Sequence, residues 1–362
     1  MSLITGIDTL EIGYSIDQYA LSKQFKDELE AGLLYTLAST NHTDYATIEL
    51  EKQKFCIRKC PARWKYTLFN DDISMSLNTT PTNGLNYQDL HVTFRSKYLW
   101  REQWMVAAIH FEEWLHQWAN VTDIKISRAD FCTDLNKPLP LLSTDKNELV
   151  TRAYKKRNYE ELQKPLSVGF NSYSYRSDFT GWVLGISPLL NRTYDKLAES
   201  FITHKEWFID LWNQNGYTPD SPVTRIEFQC RRDFLRETLP RPTNTIEDLL
   251  ENSQPIWNYL TTKWLKLTIP GESNRSRWKP TPFWEEVIDS GKYFLDNNQI
   301  TRGKQTLPNY EMLLKQATGC MATASAITPP GRRAEAEFKD GLIKPEYIQK
   351  VKDRQIQYGT FN

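Results

Sequence analysis

What this chain lacks narrows its class before any motif is read. It has no net charge, because 45 Lys and Arg are balanced by 45 Asp and Glu. A protein coated in basic residues is thereby excluded, and affinity for an anionic polymer would have to come from local clusters. No stretch approaches the roughly 20 consecutive apolar residues of a membrane helix. Residues 1–8 lack the basic-then-apolar order of a secretory leader, so a cytoplasmic protein with no membrane partner is expected. The five cysteines are odd in number and scattered, and the Cys56/Cys60 pair has no second pair or nearby histidine to complete a zinc tetrahedron. No repeat at a fixed period is visible.

Aromatic residues are plentiful, with 12 Trp, 18 Tyr and 16 Phe. Cations interleave with them at residues 152–157, 231–236 and 275–279, a pattern that suits single-stranded nucleic acid as well as a solvated face. Extended patterns are read at 7–14, 47–50, 55–58, 91–94, 124–135, 179–186, 190–197 and 223–231. Helical patterns are read at 18–37, 98–119, 145–157 and 201–213, and again beyond about residue 244. The fold class expected is α+β, an antiparallel sheet with helices on one face, followed by a helical C-terminal region. The domains are drawn at 1–240, 241–318 and a low-complexity segment and tail at 319–362, where Pro329-Pro330-Gly331 breaks the chain.

Three of these strands invite comparison for the carboxylates they carry. Alternation puts Arg128, Asp130 and Asp134 on one face of theirs, and Arg225, Glu227, Gln229 and Arg231 on one face of another. Asp8 instead shares a face with Leu10 and Ile12. A polar sheet face is an ordinary outcome, but the repeated Arg-x-Asp/Glu order in two distant strands also suits a hard divalent cation. In the segment Asn191-Arg192-Thr193-Tyr194-Asp195-Lys196, an extended backbone points Arg192, Tyr194 and Lys196 the same way. Only about one phenol in a thousand is ionised at pH 7, a deficit of roughly 4 kcal/mol, so a nucleophilic tyrosine needs help from cations or a metal.

This ordered set resembles the replication initiation factor family, the Rep proteins of rolling-circle plasmids and phages and the related relaxases of conjugative transposons. The match rests on Ser127, Arg128, Asp130 and Asp134; on Arg192, Tyr194, Asp195 and Lys196; on Thr224, Arg225, Glu227 and Arg231; and on Ile7-Asp8-Thr9-Leu10. It spans about residues 4–236. The wider nickase superfamily's two-histidine metal site is absent, since the chain has no His-x-His pair.

The resemblance implies a site-specific DNA strand nickase. Tyr194 would be the nucleophile, helped by Arg192 and Lys196, and Asp130, Glu227 and Asp8 would hold Mg²⁺ or Mn²⁺. The products would be a 5′-phosphotyrosine and a free 3′-OH. DNA contacts are expected from Arg128, Arg225, Lys155, Lys156, Arg157, Arg277 and Trp278. The expected partner is origin DNA, with a host helicase or polymerase and a second copy of the chain as further candidates. The alternative is a DNA-binding regulator on the same fold that does not cut. A tyrosine recombinase would need an Arg and His set around the tyrosine, and His204 alone does not supply one.

Overall fold

The computed structural model describes residues 2–39, 45–60, 64–78, 88–142, 148–153, 170–175, 178–238, 245–271 and 273–294, together with Ser325 and Lys339. The chain divides into two compact units, Met1–Arg302 and Gly303–Asn362. Everything that follows concerns the first.

Its frame is an eleven-stranded antiparallel sheet built around two long strands, β1 (Ser2–Tyr19) and β7 (Ala119–Leu135). After β1 come α1 (Lys23–Ala38) and a meander of β2 (Thr47–Leu50), β3 (Gln53–Lys59), β4 (Tyr66–Phe69), β5 (Ile73–Leu77) and β6 (Leu90–Phe94). That meander runs inward, so β6 pairs with β1. The chain then forms α2 (Ser96–Glu102) and α3 (Trp104–Leu115). After β7 comes β8 (Leu149–Thr151), then a second inward meander of β9 (Phe170–Tyr175), β10 (Asp178–Ile186), β11 (Leu189–Asp195) and β12 (Thr224–Arg231), with β12 on β7. The order across the sheet is β2-β3-β4-β5-β6-β1-β7-β12-β11-β10-β9. Each half is thus a long strand whose later meander returns to its side.

Between β11 and β12 lie α4 (Lys196–Ile202) and α5 (Trp207–Asn213); after β12 come α6 (Arg232–Thr238) and α7 (Ile246–Tyr259), then β13 (Leu265–Leu267) and α8 (Pro282–Asp289). Local chemistry sets the helix starts. Ser22 caps α1 by accepting from the Phe25 amide, Thr245 and Asp248 form a capping box on α7, and Thr281 followed by Pro282 opens α8.

The main core lies on one face of the sheet. Ile12, Met75, Val92, Phe131 and Phe228 point into it and meet Leu29 of α1, Phe111 and Leu115 of α3, Trp257 of α7 and Trp284 of α8. The helices beyond residue 245 therefore pack on the same core as the sheet. A small second core forms on the opposite face at one end, where Leu3, Ile4 and Val223 meet Phe208 and Trp212 of α5.

Several expected elements change. The helix expected over 98–119 is two helices broken at Gln103, whose φ of +66° no helix accepts. The helix expected over 145–157 is contradicted at Leu149–Thr151, which pairs antiparallel with β13; residues 143–147 and 154–157 lie outside those described. Lys196 opens α4 rather than closing a strand, because Asp195 caps that helix by accepting from the Ala198 amide.

Candidate active site

The sheet register brings the predicted motifs onto one face. Across β11 and β12, Arg192 stands opposite Glu227 and Tyr194 opposite Arg225. Across β12 and β7, Arg225 stands opposite Asp134, Glu227 opposite Cys132 and Gln229 opposite Asp130. Directly paired residues of an antiparallel sheet project to the same side, so these side chains share the face away from the main core.

Asp8 reaches this face by a route that alternation missed. The β1–β7 register slips between Ile7 and Thr9, the mark of a β-bulge. Ile7 and Leu10 keep their places in the core, and the extra residue turns Asp8 to the polar side, where its Oδ1 lies 2.8 Å from Arg225 Nη1. The expectation that Asp8 shares a face with Leu10 and Ile12 is thus corrected.

Two layers of polar side chains result. The inner one is sealed beneath α4, α5 and Trp100. Arg225 is fully buried and donates to both oxygens of the equally buried Asp134, at 2.6 and 2.8 Å. Trp212 Nε1 donates to Asp134 at 2.9 Å, and Ser96 Oγ and Trp100 Nε1 each donate to Asp8 at 2.7 Å. The Phe208 ring carries both Arg225, 4.6 Å from its centroid, and Lys196, at 4.3 Å. Burial would raise the Asp8 carboxyl, but Arg225 and Lys196 outweigh it and hold Asp8 well below the usual range. Arg225, expected to touch DNA, has no exposed surface with which to do so.

In the outer layer Tyr194, Arg192 and Arg128 are half-buried, while Asp130, Glu227 and Gln229 are buried. Tyr194 Oη donates to Glu227 Oε2 at 3.3 Å, and Arg192 donates to Glu227 Oε1 at 2.8 Å and to Gln229 at 2.9 Å. Arg128 donates through Nε to Asp130 at 2.8 Å, forms a second bond to the same carboxylate through Nη2, and reaches Glu11 on β1 at 3.2 Å. Burial, with Glu227 nearby, pushes Asp130 up to about 7 against the pull of Arg128. Burial also raises the Tyr194 phenol well above its ordinary value, and the Glu227 carboxylate adds to the rise. The two cations expected to flank Tyr194 are both engaged, Arg192 as above and Lys196, itself buried, by Glu199.

Sequence reading missed Gly181, Glu11 and the α5 aromatics, and placed Gln229 on the polar face without giving it a role. Gly181 lies opposite Tyr194 at φ +150°, and a Cβ there would come within 2.7 Å of the Tyr194 Cβ and 2.5 Å of the Thr193 carbonyl. A glycine inside a strand pattern was the available signal of such a close approach.

The donor chemistry of Asp8, Asp130 and Glu227 suits a hard divalent cation, but their arrangement does not. Each carboxylate already faces an arginine, and among the described residues no group of three His, Cys, Asp or Glu side chains is placed to hold a metal. Arg277 and Trp278 lie apart from this cluster, beyond β13. Arg277 is exposed, and Trp278 sits beneath Arg275, whose guanidinium is 5.3 Å from the ring centroid. Lys155, Lys156 and Arg157 lie outside the described residues.

Among solved structures, a rolling circle replication initiator protein from Geobacillus stearothermophilus is similar over 82% of this chain and 98% of that one, at 14% identity and a TM-score of 0.45. No family model and no curated protein matches the chain. No described helix is long and apolar enough to cross a membrane.

Proposed function

We propose that this chain is a DNA strand-nicking initiator, in which Tyr194 attacks one backbone phosphate of an origin and keeps it as a phosphotyrosine. The observation that carries the reading is the Tyr194–Glu227–Arg192 constellation, a phenol hydrogen-bonded to a carboxylate with a guanidinium beside it on the sheet's polar face. A phenol held this way need not ionise beforehand. Glu227 takes the proton as the Tyr194 Oη–P bond forms and the P–O3′ bond breaks. The 3′ oxygen leaves and takes its proton from water, giving a 3′-OH that a polymerase could extend. Arg192, swinging from Glu227, and Arg128 would neutralise phosphate charge. Storing the phosphoester covalently permits religation without ATP.

The cation implied by the family resemblance would require Asp130 or Glu227 to be released from its arginine, and no step above depends on it. The second reading, a regulator that binds without cutting, draws on the raised pKa of the buried Tyr194 phenol, which leaves little phenolate at neutral pH.

One experiment separates the two readings. The protein is incubated with single-stranded oligonucleotides from its own element, with and without Mg²⁺ or Mn²⁺, and resolved on a denaturing gel. A covalent adduct that Tyr194→Phe abolishes is expected. Binding with no adduct would favour the regulator, and an adduct that persists in Tyr194→Phe would move the nucleophile to another residue.

A further inference from the structure

The half of the sheet that lacks the tyrosine has the same construction and an open polar face of its own. We propose that this face, on β3 to β6, is a second docking surface for DNA, holding without cutting the single strand that runs on from Tyr194. The proposal rests on the nicking reading for the identity of the strand, and its test does not require the chemistry.

The register defines the surface. Thr93 pairs with Ser74 and His91 with Ser76; Ser76 in turn pairs with Thr67, and Thr67 with Arg58. These side chains therefore share one side, opposite the fully buried Val92, Met75, Leu68 and Ile57. Among the described residues of β3 to β6 that side carries no carboxylate, although the chain as a whole is neutral; Glu49 of β2, opposite Lys54, and Glu11 of β1, beside His91, border it. It carries hydroxyls, an imidazole, the exposed Arg58 and Lys54, and aromatic rings. The Arg58 guanidinium lies 5.1 Å from the centroid of Phe69, and the Trp64 and His91 rings are 5.5 Å apart at 34°. Cations for phosphates beside rings for bases are what a sequence-tolerant single-strand groove requires.

Continuity with the Tyr194 site is direct. Arg128 bonds both Asp130 on β7 and Glu11 on β1, and Glu11 lies 3.6 Å from His91 on β6. From β11 to β4 there are six strand spacings, roughly 30 Å at about 4.8 Å each, a length that several nucleotides span. In sheet order β5 holds the place in its half that β11 holds in the other. It presents Ser74 and Ser76 where β11 presents Arg192 and Tyr194, so β5 has no phenol at the place from which β11 would cut.

The test uses the full chain and oligothymidylates of increasing length, from about 6 to about 30 nucleotides, with affinity read by fluorescence anisotropy. Wild-type affinity is expected to climb once the oligomer outgrows the Tyr194 half. Arg58→Glu and, separately, Trp64→Ala should each remove about tenfold of the affinity for the long oligomer and leave the short one unchanged. Both positions are surface-accessible, and a thermal melt of each variant checks that it folds. A length gain that survives both substitutions, an equal loss for short and long oligomers, or no binding at all would overturn the proposal. A missing adduct with oligonucleotides from the protein's own element, with the length gain intact, would overturn the nicking reading alone.

Discussion

From Ser2 to Leu115 and from Ala119 to Thr238 the chain lays down the same order, a long strand and then a meander that returns to its side, followed by helices. The two halves bury similar apolar inner faces and differ on the outer one. In the second half, acids and arginines crowd together and part of the array is sealed under α4 and α5, leaving Asp134 and Arg225 with no exposure. In the first half, small hydroxyls alternate with core residues and no described side chain on β3 to β6 places a carboxylate there. The same backbone plan thus supports a charge-dense face in one half and a hydroxyl-lined, wettable face in the other. Burying charge is costly unless every partner is in place, so such an array is retained where it serves chemistry more readily than where it serves only stability.

That contrast can be broken by substitution. Glu227→Gln should lower adduct formation by about 10²- to 10⁴-fold with oligonucleotide affinity kept, because the phenol loses its proton acceptor. Undiminished single-turnover cleavage would remove Glu227 from the mechanism. Arg225→Met should destabilise the fold by about 3–5 kcal/mol in denaturant titrations, since it leaves Asp134 and Asp8 as unpaired buried charges. A loss under about 1 kcal/mol would show that the inner layer is not held by charge pairing.

A smaller effect tests the interior of the first half. Tyr14 donates to Glu112 of α3 at 3.3 Å, and burial, reinforced by Glu247, pushes Glu112 up to about 7. A carboxyl whose folded value lies above its unfolded one binds its proton more tightly when folded, so stability falls as pH rises from about 4.5 to about 7. Glu112→Gln should therefore stabilise the protein at pH 8 by roughly 1–2 kcal/mol, after allowance for its partial exposure, and the gain should vanish near pH 4. A gain that does not change with pH would refute the linkage. The smallest expected effect is Thr93→Val on the hydroxyl-lined face, within about 0.5 kcal/mol by thermal melt. A larger loss would mean that this face, too, depends on its polar contacts.

Reading residues alone located the acidic strands, the tyrosine segment and most of the sheet, because period-2 alternation is a local property that any half-buried strand must show. Arg192 and Tyr194, and Arg225, Glu227 and Gln229, share their faces for that reason. What one strand's alternation cannot report is a register slip against its neighbour, and so alternation alone puts Asp8 with Leu10 and Ile12, which occupy the core. Nor can it report what covers a face. Arg225 and Arg128 follow the same Arg-x-acid pattern, yet α5 closes over the first and leaves the second half-open. Pattern, a matter of neighbours along the chain, was thus determined by the sequence by itself. Which arginine meets which carboxylate, and which of them water or DNA can still reach, was decided only when strands far apart in the chain were laid side by side.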